Sequence, residues 1–174
     1  MRRISILLAA VALAMFGITT AAQAATTVNP AAAPTGTHLQ TGTIGCTVDS
    51  AQIVNCSGFE LAGVGNANAT GSLVTSYTAT VQCRNHGGQI VDVKSQVTTA
   101  PTTTGNLAPK NGRLTVTPLS SSPVPTAAQF EAQATCPNGN WTKELLGGTI
   151  TLSSFTYTLT FAGFTSPYIT ITGP

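Results

Sequence analysis

The sequence predicts an all-β protein, built as a two-sheet antiparallel sandwich that disulfides staple together. Three observations predict it. Apolar residues alternate with threonine, serine or other polar residues along several short segments, Gly, Pro and Asn separate these segments, and four cysteines are present. Alternation with a period of two is typical of strands with one buried face. No segment has a convincing helical period, so we expect no α-helix in the fold.

The N-terminal segment 1–24 has the pattern of a secretory signal peptide. Arg2 and Arg3 precede an apolar run at residues 4–16, and Ala22-Gln23-Ala24 forms a small-x-small cleavage site. We expect the mature chain to begin at Ala25 and to contain no transmembrane segment. The predicted localisation is extracellular, or periplasmic if the host is Gram-negative.

The charge of the mature chain excludes one class of partner. Removal of Arg2 and Arg3 from the 7 Lys and Arg residues leaves as many basic side chains as the 5 acidic ones. Nucleic-acid-binding proteins normally carry a dense basic patch, so no nucleic-acid partner is expected. Threonine and serine, rather than charge, supply the polar surface.

Composition predicts how the mature chain is divided. Residues 25–37 are small, contain Pro30 and Pro34 and lack periodicity, which predicts a flexible lead-in. A single sandwich domain is expected at 38–174. Within it, the Pro-containing stretches 99–112 and 120–128 are predicted to be loops.

Six segments carry the strand pattern most clearly. Each alternates apolar residues with polar ones, and five of the six carry threonine among the polar positions. Ile150 and Leu152 are out of phase with Phe155 and the residues after it, so a bulge or turn is predicted at Ser153 and Ser154. The segments are 73–83, 91–97, 114–116, 130–136, 155–161 and 169–171.

The four cysteines permit three pairings, and the strand phase selects one of them. Cys83 and Cys136 share the phase of apolar neighbours, so we expect them to point into the core and pair across the two sheets. Cys46 and Cys56 would then pair across a hairpin that turns near residues 49–51. The alternative for each cysteine is a free buried thiol, which is uncommon in an exported chain.

The chain offers few groups for catalysis, and we predict that it is not an enzyme. It has two histidines, His38 near the lead-in and His86 in a predicted turn, and no Gly-x-Ser-x-Gly nucleophile motif. The acids are scattered. Asp92 and Glu131 lie on predicted polar strand faces, where a solvated charge is the usual role.

No cofactor or metal site is predicted. The chain has no Cys-x-x-Cys pair or His cluster for zinc. Asn66 and Asn68 lie in a glycine-rich stretch without an acidic residue, which favours a turn over a calcium loop. The sequence also contains three matches to the N-glycosylation pattern, at Asn55, Asn68 and Asn140, which matter only in a host with that machinery.

Trp141 is the one candidate binding residue. It is the only tryptophan and lies close after Cys136, beside a predicted turn. An exposed tryptophan there could stack on a sugar ring or anchor a partner. The alternative, which we favour, is that Trp141 packs over the Cys83–Cys136 bridge.

A disulfide together with a tryptophan resembles the immunoglobulin fold, which implies an immunoglobulin-like architecture. The family pattern places the tryptophan between the two cysteines, whereas Trp141 follows Cys136. The family's corner tyrosine, two residues before the second cysteine, is replaced by Ala134. These departures favour a sandwich of related architecture over a true immunoglobulin domain.

The chain also resembles small secreted actinobacterial proteins of uncharacterised function. The resemblance covers most of residues 58–162 and implies an extracellular β-sandwich with a bridge between the third and last cysteines. It carries no catalytic or binding residue, and the Pro-rich stretch expected after Gly87-Gly88 is missing. The matching stretches are Gly63-Val64-Gly65-Asn66, residues 80–88, residues 111–116, residues 136–142 and the final Thr/Phe-rich strand pair.

Export, the sandwich pattern and the shortage of catalytic groups together predict a secreted, non-catalytic binding or surface-associated module. Its partner would be a glycan, a cell surface or a secreted protein, contacted through loops or a threonine-rich face. Two alternatives remain open: an inhibitor of a secreted enzyme that presents the loop 120–128, and a hydrolase with an unfamiliar site around His86.

Overall fold

The computed structural model describes residues 24–174, and the fold of this part is mostly antiparallel β-structure. The signal peptide predicted at 1–24 lies outside the described residues except for Ala24. Within residues 24–174, no helix has both the length and the apolar character needed to cross a membrane.

The described residues form thirteen strands, one α-helix and one short 3-10 helix at Pro30–Ala32. Their bounds are β1 Ala25–Val28, β2 His38–Gly42, β3 Cys46–Val48, β4 Val54–Cys56, β5 Phe59–Ala62, β6 Ala69–Arg84, β7 Ile90–Thr98, β8 Thr102–Thr103, β9 Arg113–Val116, β10 Leu119–Ser120, α1 Ala127–Gln133, β11 Thr142–Leu145, β12 Thr151–Phe161 and β13 Ile169–Gly173.

The large sheet is organised around β6, which is 16 residues long. β12 and β11 pair with successive parts of β6 along one edge, and β8 and β7 pair with it along the other. β13 extends the sheet beyond β12, and β1 pairs with β13 at the outer edge. All of these pairings are antiparallel, as the alternating pattern predicts.

Two further sheets of three strands each cover one face of the large sheet. One has the order β10-β4-β3 and the other β2-β5-β9, so the strands form three hydrogen-bonded sheets rather than the predicted two. Their inward side chains and those of the large sheet meet in one main core. Its most buried members include Val54, Leu61, Leu114, Leu159 and Ile169.

A second, smaller core lies under the other half of the large sheet. Tyr77, Ala79 and Val81 of β6 pack there against Phe130 and Ala134. Phe130 belongs to α1, which takes the place that a strand of a facing sheet would occupy.

The helix α1 corrects the prediction of a strand at 130–136. Phe130 and Ala134 are spaced four apart, which fits the buried face of a helix as well as alternate places on a strand. Thr126 starts the helix, and its backbone N–H donates to Oε1 of Gln129 at 2.8 Å. Ala127 and Ala128 favour helix. The capping pair and the alanines favour a helix over a strand in this segment.

The two disulfides join the predicted partners, Cys46 with Cys56 and Cys83 with Cys136. The first links directly opposed residues of β3 and β4. The second does not cross between two sheets as predicted. Cys136 follows α1 outside any strand, so this bridge attaches the helical segment to β6.

The segment 25–37, predicted to be a flexible lead-in, contains β1 and the short 3-10 helix at Pro30–Ala32. β1 pairs with β13 over its full length, and Oδ1 of Asn29 accepts a hydrogen bond from the backbone N–H of Ala31. Ala32 and Ala33 are buried. The pairing of β1 with β13 ties this segment to the large sheet, so the folded unit includes β1 and does not begin at His38.

The predicted irregularity near Ser153 and Ser154 is confirmed. The register between β12 and β6 shifts between Leu152 and Ser154. The backbone N–H of Leu152 donates to Oε1 of Gln52, and the backbone oxygen of Gln52 accepts from the Tyr77 hydroxyl. Gln52 therefore fastens the β3–β4 hairpin to the large sheet.

Two buried tyrosines differ in their hydrogen bonding. The Tyr77 hydroxyl donates to the backbone oxygen of Gln52 at 3.0 Å. The Tyr157 hydroxyl is buried and has no partner within the described residues. Burial raises the pKa of Tyr157 from 10.0 to about 12, because ionisation inside the core is unfavourable.

Replacing each tyrosine by phenylalanine is expected to have opposite effects on stability. Tyr157→Phe removes a buried hydroxyl that has no partner and should raise the free energy of unfolding by about 1 kcal/mol. Tyr77→Phe leaves the Gln52 oxygen without its donor and should lower it by about 1 kcal/mol. Urea unfolding measures both, and equal losses in the two variants would contradict the assignment.

The raised pKa of Tyr157 predicts a loss of stability at alkaline pH. Below pH 10 the hydroxyl is protonated in both states and contributes no pH dependence. Between pH 10 and about 12 the unfolded state releases this proton while the folded state retains it, so the free energy of unfolding falls by about 1.4 kcal/mol per pH unit. Urea unfolding from pH 9 to 11 should show a shallower decline for Tyr157→Phe. Burial also raises the pKa of Tyr168, so a smaller decline remains in the variant.

Candidate functional site

A row of hydroxyl side chains crosses the outer face of the large sheet. Thr27, Thr170, Thr158, Ser72 and Thr103 stand opposite one another in register on β1, β13, β12, β6 and β8. Cross-strand partners of an antiparallel sheet point to the same face. With strands about 4.8 Å apart, this row extends for about 19 Å across the sheet.

Two partial rows flank the central one. On one side Thr172 stands opposite Thr156, and on the other Thr160 stands opposite Thr70. We call this whole set of hydroxyl residues the hydroxyl face. It consists of Thr27, Thr70, Ser72, Thr103, Thr156, Thr158, Thr160, Thr170 and Thr172.

The hydroxyl groups of this set have no hydrogen-bond partner among residues 24–174. At the other end of the sheet, by contrast, hydroxyls pair with each other: Ser76 with Thr98 at 2.8 Å, and Thr78 with Thr151 at 3.2 Å. Lys94 donates to the Thr80 hydroxyl there as well. One half of the outer face therefore satisfies its own hydroxyls, and the hydroxyl face leaves them available.

The hydroxyl face contains no charged side chain. The strands β1, β8, β12 and β13 and the segment 69–83 contain no charged residue. The charged outer residues Asp92 and Lys94 lie on β7, which pairs with the distant half of β6. Each hydroxyl both donates and accepts a hydrogen bond. The arrangement therefore suits a neutral partner rich in hydroxyl groups, and it provides no acid–base chemistry.

A small cavity of about 210 Å³ opens at one end of the hydroxyl face. Thr70 and Thr160 belong to both the face and the cavity wall, and Asn68 and Asn106 add two amide side chains. The sequence pattern suggested only a turn at Asn68. The sequence pattern does not distinguish Asn106, because its position at the cavity depends on the pairing of Leu107 with Ala69.

A larger cavity of about 730 Å³ lies on the opposite side of the sheet. Its wall is mostly apolar, with Ile44, Leu152, Phe155 and Pro174 beside β3. Ala24, the last residue of the predicted signal peptide, also lines it. No charged side chain contributes to this wall.

Trp141 lies at the far end of the large sheet from the hydroxyl face. It directly precedes β11, whose first residue Thr142 stands opposite Arg84 at the end of β6. The side chain is half-buried. Within the described part of the chain it lines neither cavity and is absent from the apolar side chains that pack on the two cores. Both roles considered for Trp141 therefore stay predictions.

The candidate catalytic residues are dispersed in the structure. His86 is exposed in the turn between β6 and β7, and Nδ1 of His38 contacts the backbone oxygen of Gly36 at 2.8 Å. Glu131 lies on α1 rather than on a strand, and its Oε1 accepts from the backbone N–H of Leu145. Across residues 24–174, no three His, Cys, Asp or Glu side chains gather where they could hold a metal ion.

The predicted loop 120–128 packs onto the fold instead of projecting from it. Pro125 is buried, and the Ser122 and Thr102 hydroxyls lie 3.2 Å apart. The Ser121 hydroxyl accepts from the backbone N–H of Val54. The last two residues of the predicted loop, Ala127 and Ala128, belong to α1.

Comparisons with known proteins give no relative for this chain: no protein-family model, no curated protein and no solved structure matches it.

Proposed function

We propose that this chain is an exported, non-catalytic binding module that holds an uncharged polysaccharide on its hydroxyl face. The observation that carries the proposal is the row of available hydroxyls from Thr27 to Thr103 on a neutral surface. Two disulfides are typical of exported proteins and support the same placement.

Neutrality of the surface favours a neutral partner. Burying a charged group against hydroxyls that carry no countercharge costs free energy, whereas a sugar hydroxyl can exchange hydrogen bonds with them. Val74 lies on the same face, next to Thr156 in register, and offers the sugar C–H groups an apolar contact. We therefore place a neutral polysaccharide ahead of a protein or an anionic polymer.

The scaffold we propose is a sandwich in which the two small sheets and α1 together cover one face of the large sheet. The immunoglobulin-like arrangement stays a prediction. In that family the bridge joins two facing sheets, whereas here it joins β6 to the segment after α1.

The two alternative functions have less support. An inhibitor needs a loop that projects into an active site, and the loop 120–128 is packed against β4 and β8. A hydrolase around His86 needs a base held by a partner, and the His86 ring has no hydrogen bond within the described residues.

The proposal is tested by retention on insoluble polymers. The exported protein should be retained on at least one of cellulose, chitin and insoluble β-1,3-glucan, and retention should change little between low and high NaCl concentration because no ion pairs form. Cation- and anion-exchange resins serve as controls. Lack of retention on all three polysaccharides would remove the proposed function.

Removing hydroxyls from the central row should weaken this retention. Thr158→Val with Thr170→Val keeps side-chain shape and strand propensity but removes two hydrogen-bonding groups, so we expect affinity to fall roughly tenfold. Thr98→Val with Thr151→Val, from the self-paired half of the same face, is the matched control and should bind like the parent protein. Equal behaviour of the two double variants would contradict the placement of the site.

The fluorescence of Trp141 distinguishes binding at the hydroxyl face from binding at Trp141 itself. Thr70 and Arg84 lie about 46 Å apart along β6, so a ligand on the hydroxyl face lies far from Trp141. We expect its fluorescence to stay unchanged when a soluble glycan saturates the protein, and Trp141→Phe to bind equally well. A shift of the emission together with lost binding in the variant would favour Trp141 instead.

A further inference from the structure

The small cavity at the end of the hydroxyl face is held by backbone hydrogen bonds on two sides. Ala69 exchanges two of them with Leu107, N to O at 3.0 Å and O to N at 2.8 Å. On the other side the backbone N–H of Ala162 donates to the backbone oxygen of Asn68 at 2.8 Å. The backbone of the wall is therefore fixed before any ligand arrives, which lowers the cost of ordering it on binding.

The polar side chains of the wall remain free while their backbone is fixed. The side chains of Asn68, Asn106, Thr70 and Thr160 have no hydrogen-bond partner within residues 24–174. Each amide offers one acceptor oxygen and two N–H donors, and each hydroxyl offers one donor and acceptor sites. Neither Asn68 nor Asn106 has a charged residue beside it in the sequence.

Size and chemistry restrict what the cavity can hold. At about 210 Å³ it is smaller than the usual pockets for drug-sized ligands, which begin near about 300 Å³. Ala162 supplies an exposed apolar side chain beside the amides and hydroxyls, whereas Phe161, which also borders the cavity, is buried in the main core. A neutral ring that carries hydroxyls on its edge and C–H groups on its faces meets these conditions.

We propose that this cavity binds the terminal sugar unit of the polysaccharide that lies on the hydroxyl face. The inference rests on the proposed function, because Thr70 and Thr160 connect the cavity to the rows of hydroxyls. Asn68 and Asn106 hydrogen-bond adjacent hydroxyls of the sugar, and the exposed side chain of Ala162 contacts its C–H groups. The row then receives the rest of the chain.

The test uses short soluble oligosaccharides: cellohexaose, chitohexaose and laminarihexaose, titrated by calorimetry against the exported, disulfide-bonded protein. The protein is produced in a host without N-glycosylation, because Asn68 lies in an acceptor pattern and a glycan attached there would fill the cavity. We expect Asn68→Ala and Asn106→Ala each to raise the Kd about tenfold. Asn66→Ala, an exposed asparagine of the same loop, is the matched control and should change the Kd less than about twofold.

A second variant keeps the inference testable if loss of an asparagine disturbs folding. Ala162→Leu places a larger side chain at the exposed edge of the cavity and should also raise the Kd about tenfold by occupying its volume. Thermal unfolding verifies that each variant folds. Parent-like affinity in Ala162→Leu would overturn the inference even if the asparagine variants were unfolded.

The outcomes distinguish the two proposals. Retention on a polymer together with unchanged oligosaccharide affinity in the cavity variants overturns the cavity assignment and leaves the hydroxyl face in place. Absence of both polymer retention and oligosaccharide binding removes both. Weakened oligosaccharide binding in the cavity variants, with the Asn66→Ala control unaffected, supports the sugar site.

Discussion

The alternation of side chains along β6 is the constraint on which the rest of the structure depends. Its inward residues enter both cores, with Leu73 in the main core and Tyr77 in the second. Its outward residues carry the hydroxyls that pair in register with those of β12 and β8. A slip of one residue would exchange these two sets and bury hydroxyls in place of the apolar side chains. The same pairing register therefore fixes both the core and the candidate site.

Local pattern was sufficient to predict most of the large sheet. The segment 155–161 alternates strictly and 73–83 does so apart from Val74 and Thr75, and the two segments lie within the observed β12 and β6. Both predicted cysteine pairings are confirmed, although the phase argument for Cys136 assumed a strand at 130–136 where the structure has α1. Period-two alternation and short cysteine spacing involve only residues close in the sequence, so they can be recognised without knowledge of the tertiary structure.

The helix α1 was not predicted because its pattern of apolar residues is compatible with both a strand and a helix. Ala132 fits an apolar strand position by type, yet it is exposed in the helix. Only Phe130 and Ala134 are buried, and their spacing is compatible with both periods. The pair Thr126 and Gln129 carried the one sequence signal that distinguishes a helix start from a loop.

The chemical character of the candidate site could be predicted from the sequence, but its position in the fold could not. Composition indicated a threonine-rich outer face, and alternation indicated that threonines such as Thr158 and Thr170 point outward, whereas Thr27 and Thr103 lie in segments predicted to be a flexible lead-in and a loop. Which hydroxyls become neighbours depends on strand pairs far apart in the chain, such as Thr27 with Thr170. The cavity depends in the same way on the bridge between Ala69 and Leu107. Such pairing registers between distant strands are set by tertiary packing, and they cannot be derived from a single sequence.

Energetics explain why a neutral face and a small cavity belong together. An exposed hydroxyl already bonds to water, so exchanging that water for a sugar hydroxyl gains only about 0.5–1.5 kcal/mol. Immobilising a free ligand costs about 4 kcal/mol or more, which one such contact does not offset. A polymer that crosses the row from Thr27 to Thr103 makes several contacts after a single loss of translational freedom. Because the hydroxyls are chemically alike and the sheet is twisted, the row alone does not fix the position of that polymer. In the proposed complex, the concave site beside the amides of Asn68 and Asn106 would define the position, because it has room for one unit of the ligand.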